Sequence, residues 1–210
     1  MEQRPTSRAS LALDITLGGT NEPTLMSPLR IPAAFPTLQE ESLTLRELDE
    51  EDIPAWFARA SDAEAADLAG DPVPESIDLG VPWLERQRSL FRKQAGIRWA
   101  IVPSGSPVSI GTVGLTFSPR EEQVAELGIV VARPHWGMGF GTTAARMAVR
   151  YGIFELGLNE VRAEVLQRNP ASKRLLEKAG LKMIRVLPPT EAEPEVMVLY
   201  ALFRPAQSAA

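Results

Sequence analysis

The chain has 210 residues, 44% apolar and 23% charged, an ordinary globular balance at a length suited to one domain with or without an appendage. With no cysteine and a single histidine, His135, it lacks the means for a disulfide, a thiolate metal site, a Cys nucleophile, a His-based zinc site or a Ser-His-Asp triad. A net charge of -5 argues against a general nucleic-acid binder, and no run approaches the ~20 apolar residues of a membrane span, so a cytoplasmic protein with no membrane or metal partner is expected.

Residues 1–40 mix Ser, Thr, Gly and Pro, and "LALDI" near the start is interrupted by Asp14, which leaves no signal-peptide core. Prolines 28, 32 and 36 remove donors and force extended neighbours. This stretch reads as a disordered or loosely packed extension, or as an arm held through Leu29, Ile31 and Phe35. A regular domain is expected over 41–205, with 206–210 as a tail. In "SLTLREL" Leu43 and Leu45 alternate with Thr44 and Arg46, a half-buried strand. Asp49 is a candidate N-cap for a helix whose apolar face is Ile53, Trp56, Phe57 and Ala60. A second helix starts at "VPWLERQRSLF", with Pro82 near its first turn. "RWAIV" and "VSIGTVGLTF" are strands joined by the breaker-rich "PSGSP", and "VAELGIVVA" is the next.

Then the order changes. After the glycine-rich "RPHWGMGFGTTAAR" comes a helical stripe of Ala144, Met147, Ala148, Tyr151 and Phe154. "EVRAEVLQ" is a strand with Val161, Ala163 and Val165 on one face. "NPASKRLLEKAG" is a helix with Asn169 as N-cap, Pro170 at N1 and Gly180 as its stop. "LKMIRVL" and "VMVLYALF" close the chain as a strand pair around the acidic "PPTEAEPE". The sum is a mixed α+β domain with one βαβ crossover, and the glycine loop lies inside it.

Gly137, Gly139 and Gly141 stand at alternate positions between a strand and a helix start. There, free backbone N–H groups and the positive end of the helix dipole gather, and bare residues let a phosphate approach; a plain tight turn is the other reading. A P-loop would need a Lys-Ser/Thr pair, absent after Phe140-Gly141-Thr142. A dinucleotide fingerprint would need G-x-G-x-x-G; Glu160 has the spacing of its ribose-binding acid, but Thr142 takes the place of the last glycine, and the loop follows a meander rather than opening a βα series.

The stretch "AELGIVVARPHWGMGFGTTAARMAVRYGIFELGLNEVRAEVLQRNPASKRLLEKAGLKM" resembles the core of the Gcn5-related N-acetyltransferases (GNAT), and is most similar to their ribosomal-protein (RimJ/RimL-like) branch. "LTLREL…DEEDIPAWF" and "IGTVGL" extend the likeness over residues 42–203. The resemblance implies an α+β fold whose mostly antiparallel sheet is splayed at the crossover, with helices on both faces. It implies acetyl-CoA as cosubstrate, with its pyrophosphate on the N–H groups of Trp136, Gly137, Met138, Gly139, Phe140, Gly141 and Thr142. It implies pantetheine pairing with the main chain of Ile129, Val130 and Val131, and coenzyme contacts from Asn169 and Ser172, both of which also suit plain helix capping. Gly128 reads as a β-bulge or a bend, and the resemblance gives it the place where the two central strands splay apart.

Acetyl transfer from a thioester to an amine needs a neutral amine, close placement and an oxyanion donor, and no covalent enzyme intermediate. A backbone N–H near Ile129 could polarise the thioester carbonyl. Glu126, on the face of Gly128 and Val130, is the candidate base; a solvent-facing strand glutamate is the alternative. No general acid is assigned. The helix position where many relatives carry Tyr reads Leu175-Leu176-Glu177, while Tyr151 and Tyr200 fit core stripes. The expected partner is an amine, a small molecule or a protein N-terminus, that "PREEQ" and "PPTEAEPE" could draw by charge if cationic. The expected protein is a monomer or homodimer. A non-catalytic acyl-CoA-binding domain of the same fold is the alternative function.

Overall fold

The computed structural model describes residues 28–191 and 194–206. Alternation of apolar residues sets the strands: Leu43 and Leu45 are fully buried in β2 (Leu43–Glu47), which forms a hairpin with β1 (Leu38–Glu40). A meander follows through β3 (Gly96–Pro103), β4 (Gly111–Phe117) and β5 (Val124–Val131). With β6 (Glu160–Leu166), β7 (Lys182–Leu187) and β8 (Met197–Phe203) the sheet has the order β1-β2-β3-β4-β5-β6-β8-β7. Every pair is antiparallel except β5 with β6, joined by the expected crossover.

Helices cover both faces. Asp49 caps a single 3-10 turn, Glu50–Asp52, in a reciprocal capping box with Asp52, and α1 (Ile53–Ala60) continues from it. After α1 come α2 (Ala63–Ala69) and α3 (Gly80–Arg92). On this side Leu48 and Leu84 pack on Ala100 and Val102, with Ile53 and Trp83 at the edge. The larger core lies on the other side, where α4 (Phe140–Arg150) and α5 (Pro170–Lys178) cover Trp99, Leu115, Leu127, Val161 and Tyr200. α4 widens at its end into a turn of π-helix, Tyr151–Leu156.

Three features depart from the sequence reading. The sheet starts at Leu38 instead of near 41, and of the two readings of the extension the packed arm holds for residues 28–40. Leu29, Ile31, Phe35 and Leu38 pack against the larger core, the Arg30 N–H donates to the Leu156 carbonyl at 2.8 Å, and the Trp99 indole donates to the Pro36 carbonyl at 2.7 Å. Residues 1–27 lie outside the described residues. The second expected helix, α3, begins one residue before Val81, at Gly80. That position is held bare by packing, because a Cβ there would stand 2.3 Å from Ile53 Cγ2 of α1. Finally, α2 carries too few apolar residues at helical spacing to declare itself. Its cap, Asp62 accepting from the Ala65 N–H, and its ties to other loops hold it.

Candidate active site

The central strands part company. β5 pairs with β6 only from Val124–Glu126 to Glu160–Arg162. Beyond Glu126, β5 stays on β4 as far as Val131, and beyond Arg162, β6 stays on β8 as far as Leu166. The facing edges of Leu127–Val131 and Ala163–Leu166 therefore border a gap with unpaired main chain. The β4–β5 register is unbroken through Gly128, which stands opposite Gly114, so the parting shows no bulge in that ladder.

The gap leads to the glycine loop. Gly137 (φ +77°) and Gly139 (φ +88°) have left-handed backbone that a side chain would strain, and a Cβ at either would meet nothing within 4 Å. Gly139 is the N-cap of α4 and offers no side-chain acceptor, so the first-turn N–H groups face outward uncapped. Gly141 differs: it is buried, and a Cβ there would meet Leu175 Cδ1 at 2.8 Å, so its bareness serves the contact of α4 with α5. Trp136 is 40% exposed and its indole N–H donates to the Val131 carbonyl at 2.7 Å, tying the loop to the strand edge. Met138 is 64% exposed, and Phe140 stands edge-on to His135.

α2 bridges the two loops that follow β5 and β6. At its start Arg133 pairs with Asp62 at 2.9 Å and with Glu64. At its end Arg168 pairs with Asp67 at 2.8 Å, and the Asn169 side chain donates to the Leu68 carbonyl at 3.3 Å. Asn169 also caps α5, its Oδ1 accepting from the Ser172 N–H at 3.0 Å. A cavity of about 530 Å³ adjoins the glycine loop, lined among others by Ala58, Arg59, Val108, Ile110, Met138 and Phe140.

Glu126 lies on the α1/α3 side of the sheet where the gap opens, two residues before Gly128, since its neighbours Ala125 and Leu127 point into the larger core. On the same side β3 presents Arg98, opposite Gly114, and its guanidinium reaches over to Gly128. Burial pushes Arg98 below its ordinary range, opposed by the charges of Asp71 and Glu126. Arg59, 8% exposed on α1, is pushed down to about 10 by burial and then by the charge of Arg98. The sequence reading missed both, although each carried a signal: Arg59 follows Trp56 by three on the apolar stripe of α1, and Arg98 sits between the fully buried Ile97 and Trp99.

Two of the acids expected to draw a cation are engaged elsewhere, while Glu122 and Glu191 are exposed. Glu121 pairs with Arg162 at 2.5 Å, and that hydrogen bond holds its carboxyl below the usual range. Glu195 pairs with Arg168 at 2.6 Å, while Glu193 lies outside the described residues. Tyr200 is buried in the α5-side core, its hydroxyl donating to Glu177 at 3.1 Å, and Tyr151 packs edge-on against Trp99. Among the described residues no cluster of three or more His, Asp or Glu could hold a metal, and no helix is long and apolar enough to cross a membrane.

Comparison with known proteins agrees with this architecture. The family model described as an acetyltransferase (GNAT) domain matches residues 42–182. The chain is 33% identical over 153 residues to the "uncharacterized N-acetyltransferase YoaA" of Bacillus subtilis (strain 168), covering 73% of this chain and 86% of that protein. It shares its fold with a GNAT-family acetyltransferase from Bacillus anthracis (TM-score 0.70, 19% identity, 80% of this chain and 98% of that one). The spermidine N-acetyltransferase of Vibrio cholerae, solved with CoA and spermine, is similar too (TM-score 0.67, 21% identity, 79% and 97%). The parted sheet, the bare helix start beyond it and the family match over most of the sequence have one meaning: the chain belongs to the GNAT family of acetyltransferases and is an acyltransferase enzyme.

Proposed function

We propose that the protein transfers an acetyl group from acetyl-CoA to a primary amine, in a small molecule or at a protein N-terminus. The gap that opens at Glu126 and runs to the uncapped start of α4 carries this reading. Its length suits an extended thioester arm, and the helix start suits a pyrophosphate, because its N–H groups and dipole favour negative charge. The unpaired main chain of Ile129, Val130 and Val131 then pairs with the pantetheine amides, as an added strand would. The N–H groups from Trp136 to Thr142 hold the pyrophosphate, with Gly137 and Gly139 leaving the approach open. Asn169 keeps the start of α5 and the end of α2 in place, and Ser172 stands in the first turn beside it.

The chemistry follows from the position of Glu126. Its carboxylate takes a proton from the acceptor ammonium, directly or through water, and the freed amine attacks the thioester carbonyl. A main-chain N–H near Ile129 stabilises the oxyanion. Collapse breaks the C–S bond, the nitrogen gives up its second proton to water as the neutral amide forms and leaves, and the CoA thiolate takes a proton from solvent, so no side chain is needed as general acid. Within the family, the Trp136-Gly-Met-Gly-Phe140 loop and the Asn169-x-x-Ser172 helix start favour the ribosomal-protein N-acetyltransferase branch.

The test is thermal unfolding with and without acetyl-CoA, with NAD as the control. A ligand at 100 times its Kd adds about 2.7 kcal/mol, or several degrees in a domain of this size. A rise with acetyl-CoA alone, followed by amine-dependent release of CoA thiol, is the expected result. No rise with acetyl-CoA overturns the proposal.

A further inference from the structure

The α1/α3 side of the gap holds two arginines without an ion-pair partner among the described residues. Gly114 and Gly128 face each other across β4 and β5, leaving a trough free of side chains, and Arg98 of β3 lies along it. A Cβ at Gly128 would stand 2.9 Å from its terminal nitrogen, so the guanidinium rests against main chain where the strands part. Its one hydrogen bond among the described residues is a long one, 3.4 Å to the Thr112 hydroxyl. Arg59 approaches from α1, close enough for the two charges to oppose each other, and lines the cavity beside the glycine loop. Asp71, whose charge both feel, is exposed and bonds neither. No fully buried side-chain nitrogen or oxygen among the described residues lacks a partner, so the unpaired nitrogens of Arg59 touch open space.

Two like charges held near each other favour an anion that can accept from both. We infer that Arg98, supported by Arg59, anchors a carboxylate or phosphate on the acceptor, placing the acceptor's amine at Glu126. Two residues of strand separate Gly128 from Glu126, so the anion and the amine lie within about 6–7 Å of each other. That spacing fits an amino acid or a phosphorylated amino alcohol and excludes a purely cationic polyamine as the preferred acceptor. The inference rests on the acetyltransferase reading above.

The experiment keeps the two apart. Protein saturated with CoA is titrated with N-acetylglycine, N-acetylglycinamide and N-acetyl-O-phosphoethanolamine, with binding followed by ligand-observed NMR. Thiol release from acetyl-CoA is then compared for glycine, glycinamide, O-phosphoethanolamine, ethanolamine and spermidine. The anionic member of a pair is expected to bind and react at least tenfold better than its neutral partner, and the pair that responds tells carboxylate from phosphate. Arg98→Gln is expected to abolish that ratio while leaving CoA affinity and the unfolding midpoint near wild type, and Arg98→Lys to restore part of it. A purely structural arginine would lower both members of a pair together. Equal or better use of neutral or cationic amines, no binding of either anion, or an unchanged ratio in Arg98→Gln overturns the inference. Failure to bind CoA at all would instead remove the transferase reading on which it rests.

Discussion

Replacing Gly139 by aspartate tests the phosphate cradle through charge alone, provided the strain of the substitution is measured separately. Gly139 has φ +88°, so any side chain there costs about 1 kcal/mol of backbone strain, least for Asn and Asp. A Cβ meets no atom within 4 Å, so the site adds no steric cost and the fold should survive. Asparagine has the same shape as aspartate without its charge, so the pair Gly139→Asn and Gly139→Asp isolates electrostatics. A carboxylate ~5 Å from one phosphate charge at an effective dielectric of ~20 opposes it by about 3 kcal/mol, before screening. With salt near 0.15 M, about 1.5–3 kcal/mol should remain, a roughly 10- to 100-fold weaker affinity. Calorimetric titration with CoA measures it. Gly139→Asn should bind within a few-fold of wild type and Gly139→Asp roughly 10- to 100-fold more weakly, with the difference shrinking as salt rises. Equal affinities for the two variants would refute the placement of the pyrophosphate at this helix start.

Other expectations follow from single contacts. Glu126→Gln should lower kcat by about 100-fold or more while CoA affinity holds, measured by thiol release; an unchanged rate would leave Glu126 an ordinary strand residue. Arg46 makes bonds of 2.8 and 3.0 Å to Asp52, which is 2% exposed, so Arg46→Met should cost about 3–5 kcal/mol in denaturant unfolding by stranding a buried charge. Burial raises the Asp52 pKa, but the bonds from Arg46 and the Asp49 N–H prevail and lower it. A lowered carboxyl stabilises the fold above its unfolded value of about 3.9 and loses that contribution as pH falls through the folded value, so wild type should weaken below pH ~4 and Arg46→Met should show a flatter acid limb. Trp99 is fully buried and holds Phe35, Tyr151 and the Pro36 carbonyl; Trp99→Ala should cost about 3–5 kcal/mol and expose residues 28–37 to proteolysis, which limited digestion would reveal.

Much of the fold was legible because its cues are local. Period-two alternation marked β2 and β6, where Val161, Ala163 and Val165 are at most 5% exposed, and Asn169, Pro170 and Gly180 bounded α5. The break from a meander to a crossover was visible in the order of elements. α2 was not legible, since Ala and acidic residues at its positions carry little periodicity and its anchors, Arg133, Arg168 and Asn169, come from loops far along the chain. The pairing of two acids in those loops was hidden for the same reason: Glu121 and Glu195 have partners 41 and 27 residues away that the sequence does not announce.

The glycine loop shows where local information ends. Three alternating glycines suggested one purpose, yet only Gly137 and Gly139 are open, while Gly141 makes room for Leu175 of α5. By itself the sequence determined the family, most of the elements and the position of the loop, because hydrophobic periodicity, caps and motifs act within a few residues. Only the tertiary structure decided what faces the gap. Setting Arg98 beside Gly114 and Gly128, and Arg59 against them, requires the register of three strands and the packing of a helix, and those contacts join residues that are distant in the chain.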